Sequence, residues 1–404
     1  MRHVWNESRS QAQQMVAAWT KEDAVIRVAK DTRTLSLNVL AAIGFSKSFN
    51  FESSAPEQTG SADEKFSYRD TLQLVLDHAI LVMVVGRQHL LYSWLPAWIR
   101  RIGKAADDFQ THMETMLDDE MTSLNRGEKG TGTIMTSFVR ALDQHQQDSS
   151  KGMSAEEVFG NTFIINFAGH DTTANSFAFA VLHLGANPAV QEWMAEEVRQ
   201  AIAGSTQDNW DYAALFPKLL RCRAVLVSKV SVKTRELILI SIQLETLRLF
   251  PPIMSLPKQT IDQAQELTAE GRTILVPPKT TIFGSVLGTH TYSEYWPDPL
   301  TWKPSRWIER DASGQETVIT PDRITYFPWS DGVQNCPGQK FSLVEFVVVM
   351  ATLVSEHRLR PVREAGESVE QMQERLRRVA NDCEAIMILR VKDADQVSMD
   401  LEKV

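Results

Sequence analysis

A cysteine in a glycine- and proline-rich turn is the residue of this sequence best suited to chemistry. Cys336 has Gly332 four residues before it and Gly338 two residues after it, directly ahead of an apolar helix. Backbone N–H groups in such a turn can point at the sulfur, and the start of the following helix favours the thiolate over the thiol. The residue is then a metal ligand or a nucleophile, although no histidine base is evident within this loop. The alternative is a loop cysteine without a chemical role.

Two polar residues in an otherwise apolar helical stretch form the second candidate site. Ser154–Leu184 predicts one long helix, and Asp171 and Thr172 lie near its middle. Gly169 permits a local opening of the helical hydrogen bonds beside them. The alternative is a kinked or capped helix in which the aspartate is satisfied by its neighbours.

A glutamate and an arginine on one helix face form the third pattern. Glu245 and Arg248 are three residues apart, and Pro251 and Pro252 end their helix. This spacing is common by chance, so alone it indicates little.

The segment around Cys336 resembles the cysteine-ligand loop of the cytochrome P-450 haem-thiolate monooxygenases, F-x-x-G-x-[RH]-x-C-x-G. Trp329 stands at the first position, and Gly332, Cys336 and Gly338 match theirs. Gln334 stands where the family has arginine or histidine, and a neutral amide cannot form the charged contact to a haem propionate. The resemblance implies that Cys336 is the proximal thiolate ligand of iron in haem b, with Trp329 as the ring beside the sulfur.

The long helix carries a second motif of the same family. A-G-x-D-T-T is matched by Ala168–Thr173, and in the family this motif forms a groove over the distal face of the haem. The resemblance implies that Thr172 donates a hydrogen bond to bound dioxygen, that Asp171 feeds protons inward, and that Gly169 lies against the cofactor.

The Glu245–Arg248 pattern, followed by Leu-Phe-Pro-Pro, matches the family's K-helix. The resemblance implies that Arg306 completes a structural Glu–Arg–Arg cluster, which holds an irregular segment and helps to retain haem. These motifs occur in the family's order and extend the resemblance over most of the chain from Ser154 onward.

The resemblance implies an enzyme that inserts one oxygen atom from O2 into a lipophilic small molecule, with electrons from NADPH through an NADPH-cytochrome reductase. A fungal secondary metabolite, such as a polyketide, terpenoid or alkaloid, is the expected product class.

The resemblance also places the substrate pocket. Ile164–Phe167 and Ile253–Leu256 would face the haem, and Asp70–Trp98 would cover the site and make a peripheral membrane contact. The alternative for each apolar run is core packing. There are two other hypotheses. The first is an inactive, truncated family member that does not retain haem, either because the gene is degenerate or because it is wrongly delimited. The second is a haem-binding module that does not activate oxygen. Asp171 and Thr172 argue against the second.

Composition excludes several other classes. The 404 residues are 43% hydrophobic and 23% charged, which is typical of a globular protein rather than a disordered one. The net charge of −9 argues against a general nucleic-acid binder. Three cysteines, Cys222, Cys336 and Cys383, cannot build a disulfide framework and indicate an intracellular protein. No apolar run approaches the ~20 residues that cross a bilayer.

The resemblance implies a location at the surface of the endoplasmic reticulum membrane. Because the sequence shows no spanning segment, the cytoplasm is the alternative location.

The arrangement of apolar and polar residues predicts a mainly α fold with a small β part, formed as a single cytochrome P-450-like domain over residues 1–404. The expected helices are Asn6–Trp19, Glu22–Leu40, Asp70–Val85, Trp98–Leu124, Ser154–Leu184, Ala189–Ala203, Ile242–Phe250 and Phe341–Val354. Ser154 and Glu157 form a capping-box pattern at the long helix. Short strands are expected after Pro252 and at the carboxy terminus, and the long irregular segment Tyr292–Gly338 is expected to be functional.

The sequence departs from the family in two places. We expect it to start after the family's membrane anchor, N-terminal β-sheet and first helices, although Trp5 and Arg9 fit the W-x-x-x-R pattern that contacts a haem propionate. Val227–Gln243 separates Leu226 from the Leu-Glu-Thr-Leu-Arg motif and does not continue the helical pattern on either side. We interpret these residues as a short intron translated in frame; a surface insertion is the alternative.

Overall fold

α-Helices are the main elements that position the candidate residues. The computed structural model describes residues 1–21, 26–52, 68–127, 132–202, 209–219, 241–269, 271–310, 312, 316–319 and 322–404. The α-helices are α1 (Arg2–Trp19), α2 (Val28–Phe45), α3 (Tyr68–Asp77), α4 (Ala79–Val85), α5 (Ala97–Asn125), α6 (Ile134–Gln147), α7 (Ala155–Ala186), α8 (Pro188–Ala201), α9 (Tyr212–Leu215), α10 (Ser241–Leu249), α11 (Val286–His290), α12 (Gln339–Ser355) and α13 (Val369–Asn381). Short 3-10 helices cover Arg87–Leu91, Pro304–Trp307 and Ala394–Gln396.

The β part consists of short antiparallel pairs. The strands are β1 (Ser255–Gln259), β2 (Gln265–Ala269), β3 (Arg272–Val276), β4 (Thr281–Ser285), β5 (Ile308–Arg310), β6 (Glu316–Val318), β7 (His357–Pro361), β8 (Cys383–Ala385), β9 (Leu389–Val391) and β10 (Met399–Lys403). Within the described residues the pairs are β1–β4, β2–β3, β5–β6, β7–β10 and β8–β9. In the β1–β4 pair Pro257 lies opposite Phe283, and in the β7–β10 pair Leu359 lies opposite Leu401.

The predicted fold class, mainly α with a small β part, is confirmed, and the differences concern single elements. The predicted helix Asp70–Val85 is divided at His78 into α3 and α4. Helices α6, α9, α11 and α13 were not predicted. In α13 the buried residues are only Leu376, Val379 and Ala380, so the apolar stripe is too narrow to stand out in a polar sequence. Residues 22–25, at the start of the predicted helix Glu22–Leu40, lie outside the described residues.

The chain forms two compact units. The first comprises residues 1–35 and 172–404, and the second comprises residues 36–171. In the first unit, α12 is buried from Leu343 to Ser355 and packs against α1 and α8. Phe177 of α7 stacks on Phe346 of α12 with ring centroids 5.1 Å apart. The buried α12 therefore gives the loop that precedes it a fixed point of attachment.

The second unit has its own hydrophobic core, formed by α3, α5, α6 and the parts of α2 and α7 that belong to it. Its most buried members are Leu37, Ala41, Leu72, Val75, Ala105, Met113, Val139 and Val158. Phe163 and Phe167 of α7 pack against this core and stack on each other. This packing fixes the rotation of the amino-terminal half of α7 about its axis.

None of the helices in the described part of the chain combines the length and the apolar character needed to cross a membrane.

Candidate functional site

The loop before α12 presents Cys336 next to the helix amino terminus. The backbone N–H of Cys336 donates to the carbonyl oxygen of Trp329 at 2.9 Å, which closes the loop. Gly332 has φ +91°, a left-handed conformation that a side chain would strain, and nothing lies within 4 Å of where its Cβ would be. Gly338 is the residue before α12. The predicted loop residues therefore lie in one closed turn that ends in the first turn of a buried helix.

Two opposing influences act on the Cys336 thiol. The backbone N–H groups of Gly338 and Gln339 reach the sulfur and lower its pKa, whereas withdrawal from solvent by the surrounding atoms raises it more, so the net pKa lies above its ordinary value. The residue as a whole is nevertheless exposed. The helix amino terminus thus favours the thiolate, as the sequence predicts, but the surrounding atoms oppose it more strongly.

The other predicted loop residues differ in their surroundings. The ring of Trp329 is buried, with 9% of the residue exposed, whereas Gln334 is exposed. On the same loop Asp331 pairs with Arg323 at 2.9 Å, and both side chains are about half exposed to solvent. Gln334 thus leaves an uncharged position beside an ion pair that sequence reasoning did not identify.

The capping box at the start of α7 is present as predicted. The backbone N–H of Ser154 donates to Glu157 Oε2 at 2.8 Å, and the backbone N–H of Glu157 donates to Ser154 Oγ at 3.2 Å. These bonds lower the pKa of the Glu157 carboxyl. Helix α7 then continues without interruption to Ala186, so the helical hydrogen bonds are not opened at Gly169 to the point of breaking the helix. A Cβ at Gly169 would meet Leu40 of α2 at 3.1 Å, so glycine permits close packing here.

A histidine that sequence reasoning missed lies beside Asp171. His170 is buried, and its Nε2 lies 3.5 Å from Asp171 Oδ1. Its Nδ1 lies 3.1 Å from the carbonyl oxygen of Asn166 one turn earlier. A histidine next to a carboxylate can hold or pass a proton. Its place between Gly169 and Asp171 in the motif was the signal that could have identified it.

One face of α7 leads to Thr172. Ile164, Ala168 and Thr172 follow one another at intervals of four residues, which places them on the same side of the helix. Ile164 and Ala168 are exposed and Thr172 is half-buried. Phe163 and Phe167, which precede Ile164 and Ala168, instead pack against the second unit's core. In the predicted range Ile253–Leu256, Ile253 is likewise exposed, at 39%. Ile164 and Ile253 therefore do not take the core-packing alternative.

The Glu–Arg–Arg cluster is assembled around one buried carboxylate. Arg248 donates from Nε to Glu245 Oε2 and from Nη2 to Oε1, both at 2.9 Å. Arg306 donates from Nε to Oε1 at 2.9 Å. Glu245 and Arg248 are fully buried and Arg306 is nearly so. The structure thus brings together three residues that are up to 61 positions apart in the chain.

The two arginines tie α10 to the irregular segment that follows β4. Arg248 donates to the carbonyl oxygens of His290 at 2.9 Å and Pro299 at 2.6 Å, and Arg306 donates to that of Pro297 at 2.6 Å. Two residues that were not predicted complete the cluster, since the Trp307 indole and the Lys303 backbone N–H also donate to Glu245. The charged groups thereby acquire partners for most of their hydrogen-bonding positions, which a buried ion pair requires.

The W-x-x-x-R pattern of α1 has a structural role. The indole N–H of Trp5 donates to the carbonyl oxygen of Trp210 at 2.8 Å, and Arg9 Nη1 donates to the same oxygen at 3.1 Å. Trp5 is fully buried against Tyr212 and Phe216. The indole donor of Trp5 therefore fixes α1 to the segment around α9, so the fit to the family pattern does not by itself assign Trp5 to a haem propionate.

The predicted insertion is only partly described. Residues 227–240 lie outside the described residues, whereas Ser241, Ile242 and Gln243 form the first turn of α10. Ile242 and Gln243 are buried and belong to the helix predicted from Ile242, so the last residues of the predicted insertion continue the helical pattern. Cys222 also lies outside the described residues, and Cys383 lies in β8.

Comparison with known proteins shows the family to which the chain is related. The sequence model of the cytochrome P450 family matches residues 1–222 and 237–381. The chain is 25% identical over 403 residues to a cytochrome P450 monooxygenase of Arthrobotrys oligospora, covering 90% of this chain and 65% of that protein. It is 26% identical to a cytochrome P450 monooxygenase of the phomenoic acid biosynthesis cluster of Leptosphaeria maculans, covering 83% of this chain and 58% of that protein.

Solved structures share the fold. The crystal structure of a cytochrome P450 (CYP102L1) matches with a TM-score of 0.71 at 17% identity, covering 100% of this chain and 78% of that chain. The haem domain of cytochrome P450DA matches with a TM-score of 0.67 at 16% identity, covering 100% of this chain and 74% of that chain.

The fold and the cysteine loop together define a protein of the haem-thiolate class. The chain belongs to the cytochrome P450 family. It spans 58 to 65% of the length of the two fungal relatives. The residues present fit a haem: Cys336 is an exposed thiol at a helix amino terminus, and backbone N–H groups reach its sulfur, which suits a cysteine ligand of iron.

Proposed function

We propose that this protein is a haem-dependent monooxygenase that inserts one oxygen atom from O2 into a lipophilic small molecule. The observation that carries the proposal is the environment of Cys336, whose sulfur receives two backbone N–H groups in a loop closed onto Trp329. A haem held there would supply the activation of dioxygen, with a thiolate ligand that favours cleavage of the O–O bond. The names of the relatives, cytochrome P450 monooxygenases, support the same reaction class.

The chain's own residues then have distinct tasks. Cys336 binds iron through its sulfur, and the N–H groups of Gly338 and Gln339 stabilise the negative charge on that sulfur. Thr172 donates a hydrogen bond on the distal side, and Asp171 delivers protons, with His170 placed to hold a proton beside the carboxylate. Trp329 packs as a ring beside the sulfur and shields it from solvent.

The substrate class follows from the apolar side chains on α7. Ile164 and Ala168 are exposed on the face that leads to Thr172, and such a surface favours an apolar substrate over a charged one. The Leptosphaeria maculans relative is named for a biosynthesis cluster. We infer that this protein acts in the biosynthesis of a fungal secondary metabolite, with a polyketide, terpenoid or alkaloid as substrate.

The proposed electron donor is NADPH, through an NADPH-cytochrome reductase at the endoplasmic reticulum surface. A peripheral membrane contact is supported by the segment from α4 to the start of α5. Val84, Trp94 and Trp98 are 79, 77 and 59% exposed there. Exposed tryptophans beside aliphatic residues are typical of surfaces that dip into the membrane interface.

Residues 227–243 are proposed to be a short intron translated in frame. The match to the family leaves out residues 223–236, which supports extra sequence at this position. Sequencing the mature transcript tests this proposal: a message without these codons is expected, and a message that retains them as the sole species would make them a genuine insertion.

The test of the proposed function is the absorption spectrum of the reduced, carbon-monoxide-bound protein. A strongly red-shifted Soret band is expected for the chain as written, and Cys336→Ala should abolish it. Cys383→Ala is the matched control, because Cys383 lies in β8 and is not next to a helix amino terminus. A chain that binds no haem would be an inactive family member, and one whose band lies at the position of a neutral-ligand haem would be a haem-binding module. A Cys336→Ala variant that keeps the red-shifted band would refute Cys336 as the ligand.

A further inference from the structure

A second buried histidine packs against the residues that lead into the cysteine loop. His290 is the last residue of α11 and has no exposed surface. Its ring stacks on Tyr326, with centroids 4.9 Å apart, and meets Phe327 edge-on at 5.4 Å. Phe327 lies two residues before Trp329, where the cysteine loop begins. His290 is thus 37 positions from Phe327 in the chain, but in contact with this residue at the entrance of the loop.

The hydrogen bond between them defines the charge state of the ring. The backbone N–H of Phe327 donates to His290 Nε2 at 3.0 Å. Because an N–H group can only donate, Nε2 carries no proton, and the ring is neutral. Burial, helped by the positive charge of Arg248, lowers the pKa of His290 to about 4, against the opposing effect of the Leu247 and Arg248 backbone. The ring therefore remains an acceptor at neutral pH.

Two backbone hydrogen bonds connect the region of Phe327 with the backbone of Cys336. The N–H of Ser330 donates to the carbonyl oxygen of Phe327 at 3.0 Å, and the N–H of Cys336 donates to that of Trp329 at 2.9 Å. On its other side, the carbonyl oxygen of His290 accepts from Arg248. His290 is accordingly the link between the buried Glu245–Arg248 cluster and the loop that carries Cys336.

We propose that His290 is a positioning residue for Cys336: its neutral ring, anchored to the Glu245–Arg248 cluster, accepts the Phe327 N–H and holds the loop so that the thiolate can ligate iron. This inference rests on the proposed function, because it concerns the ligand of that site. It assigns to His290 a role in the ligation state of the iron rather than in proton transfer. Removal of the acceptor leaves a buried N–H unsatisfied and releases the start of the loop.

The spectral experiment compares variants that differ in this acceptor. In His290→Phe the ring and its stacking remain but the acceptor is lost, so the ratio of red-shifted to unshifted carbon-monoxide-bound species should fall by roughly tenfold. In His290→Gln the amide oxygen reaches the place of Nε2, and most of the ratio should return. His183→Phe is the matched control, since His183 is buried between the rings of Phe250 and Trp302 and neither of its nitrogens has a hydrogen-bond partner among the described residues. It should leave the ratio unchanged.

A second measurement is independent of the cofactor's spectrum. Hydrogen–deuterium exchange of the Phe327 amide in the full-length protein should accelerate in His290→Phe and recover in His290→Gln. If His290→Phe does not fold, His290→Asn replaces it, because the shorter amide cannot reach Phe327.

The outcomes separate the inference from the proposed function. An unchanged spectral ratio in the variant without an acceptor overturns the inference, as does an unchanged Phe327 exchange rate. Equal losses in the His290 and His183 variants also overturn it, because both would then report general destabilisation. A wild-type protein without the red-shifted band contradicts the proposed function instead, and the exchange measurement still decides whether His290 holds the loop.

Discussion

Replacement of Glu245 by glutamine is expected to destabilise the first unit severely. Glutamine keeps the shape of the side chain, but its NH2 group must take the place of one carboxylate oxygen. At Oε2 it would face the donors of Arg248 Nε and Trp307, and at Oε1 it would face those of Arg248 Nη2, Arg306 and Lys303. Either orientation loses at least two hydrogen bonds, one of them charged, which amounts to about 2–4 kcal/mol. The uncompensated charge of a fully buried Arg248 brings the total to about 3–5 kcal/mol.

The assay is urea unfolding followed by tryptophan fluorescence, since Trp296 and Trp307 lie in this cluster. The matched control is Asp400→Asn in the same unit, which breaks the pair with Arg360 on β7. Both of its side chains are about half exposed, so the expected loss is below about 1 kcal/mol. Equal unfolding midpoints for Glu245→Gln and Asp400→Asn would refute the view that the buried carboxylate organises the cluster.

Three further predictions concern single residues. Ser154→Ala should cost about 1 kcal/mol and accelerate amide exchange at Glu157, since it removes one half of the α7 capping box; unchanged exchange there would contradict the assignment. Gly332→Ala should cost about 1–2 kcal/mol in urea unfolding, from backbone strain at φ +91° alone, because a Cβ meets nothing within 4 Å; an unchanged midpoint would mean that the loop relaxes freely. His183→Phe should reduce the loss of stability on acidification. Burial lowers the pKa of His183 in the folded protein from 6.5 to about 3, so below pH 6.5 the unfolded state takes up a proton that the folded state does not. The free energy of unfolding of the wild type therefore falls between pH 6.5 and 3. Unfolding midpoints at pH 7.5 and 4.5 test this, and an equal pH dependence in both proteins would count against a neutral buried ring.

Features encoded within a few residues were predictable from the sequence. The capping box depends on residues three apart, and the Glu245–Arg248 pair depends on a single helical turn, so both follow from spacing. Arg306 was placed by the family resemblance, whereas Trp307 and Lys303 were not placed at all, although they donate to the same carboxylate. The break between α3 and α4 falls at His78, which is neither glycine nor proline, so nothing local signals it. Such details arise from packing between segments distant in the chain.

The state of the thiol is the point at which local and long-range effects compete. The sequence shows a cysteine next to a helix amino terminus, which favours a thiolate, but it does not show how closely other atoms surround the sulfur. In the structure that surrounding outweighs the N–H groups and raises the pKa of Cys336. The N–H groups that favour a thiolate can act on the sulfur only if the loop is held in place. The hydrogen bond that holds the loop comes from His290, at the far end of the link to Glu245 and Arg248, so the cluster that stabilises the fold also fixes the position of the proposed ligand.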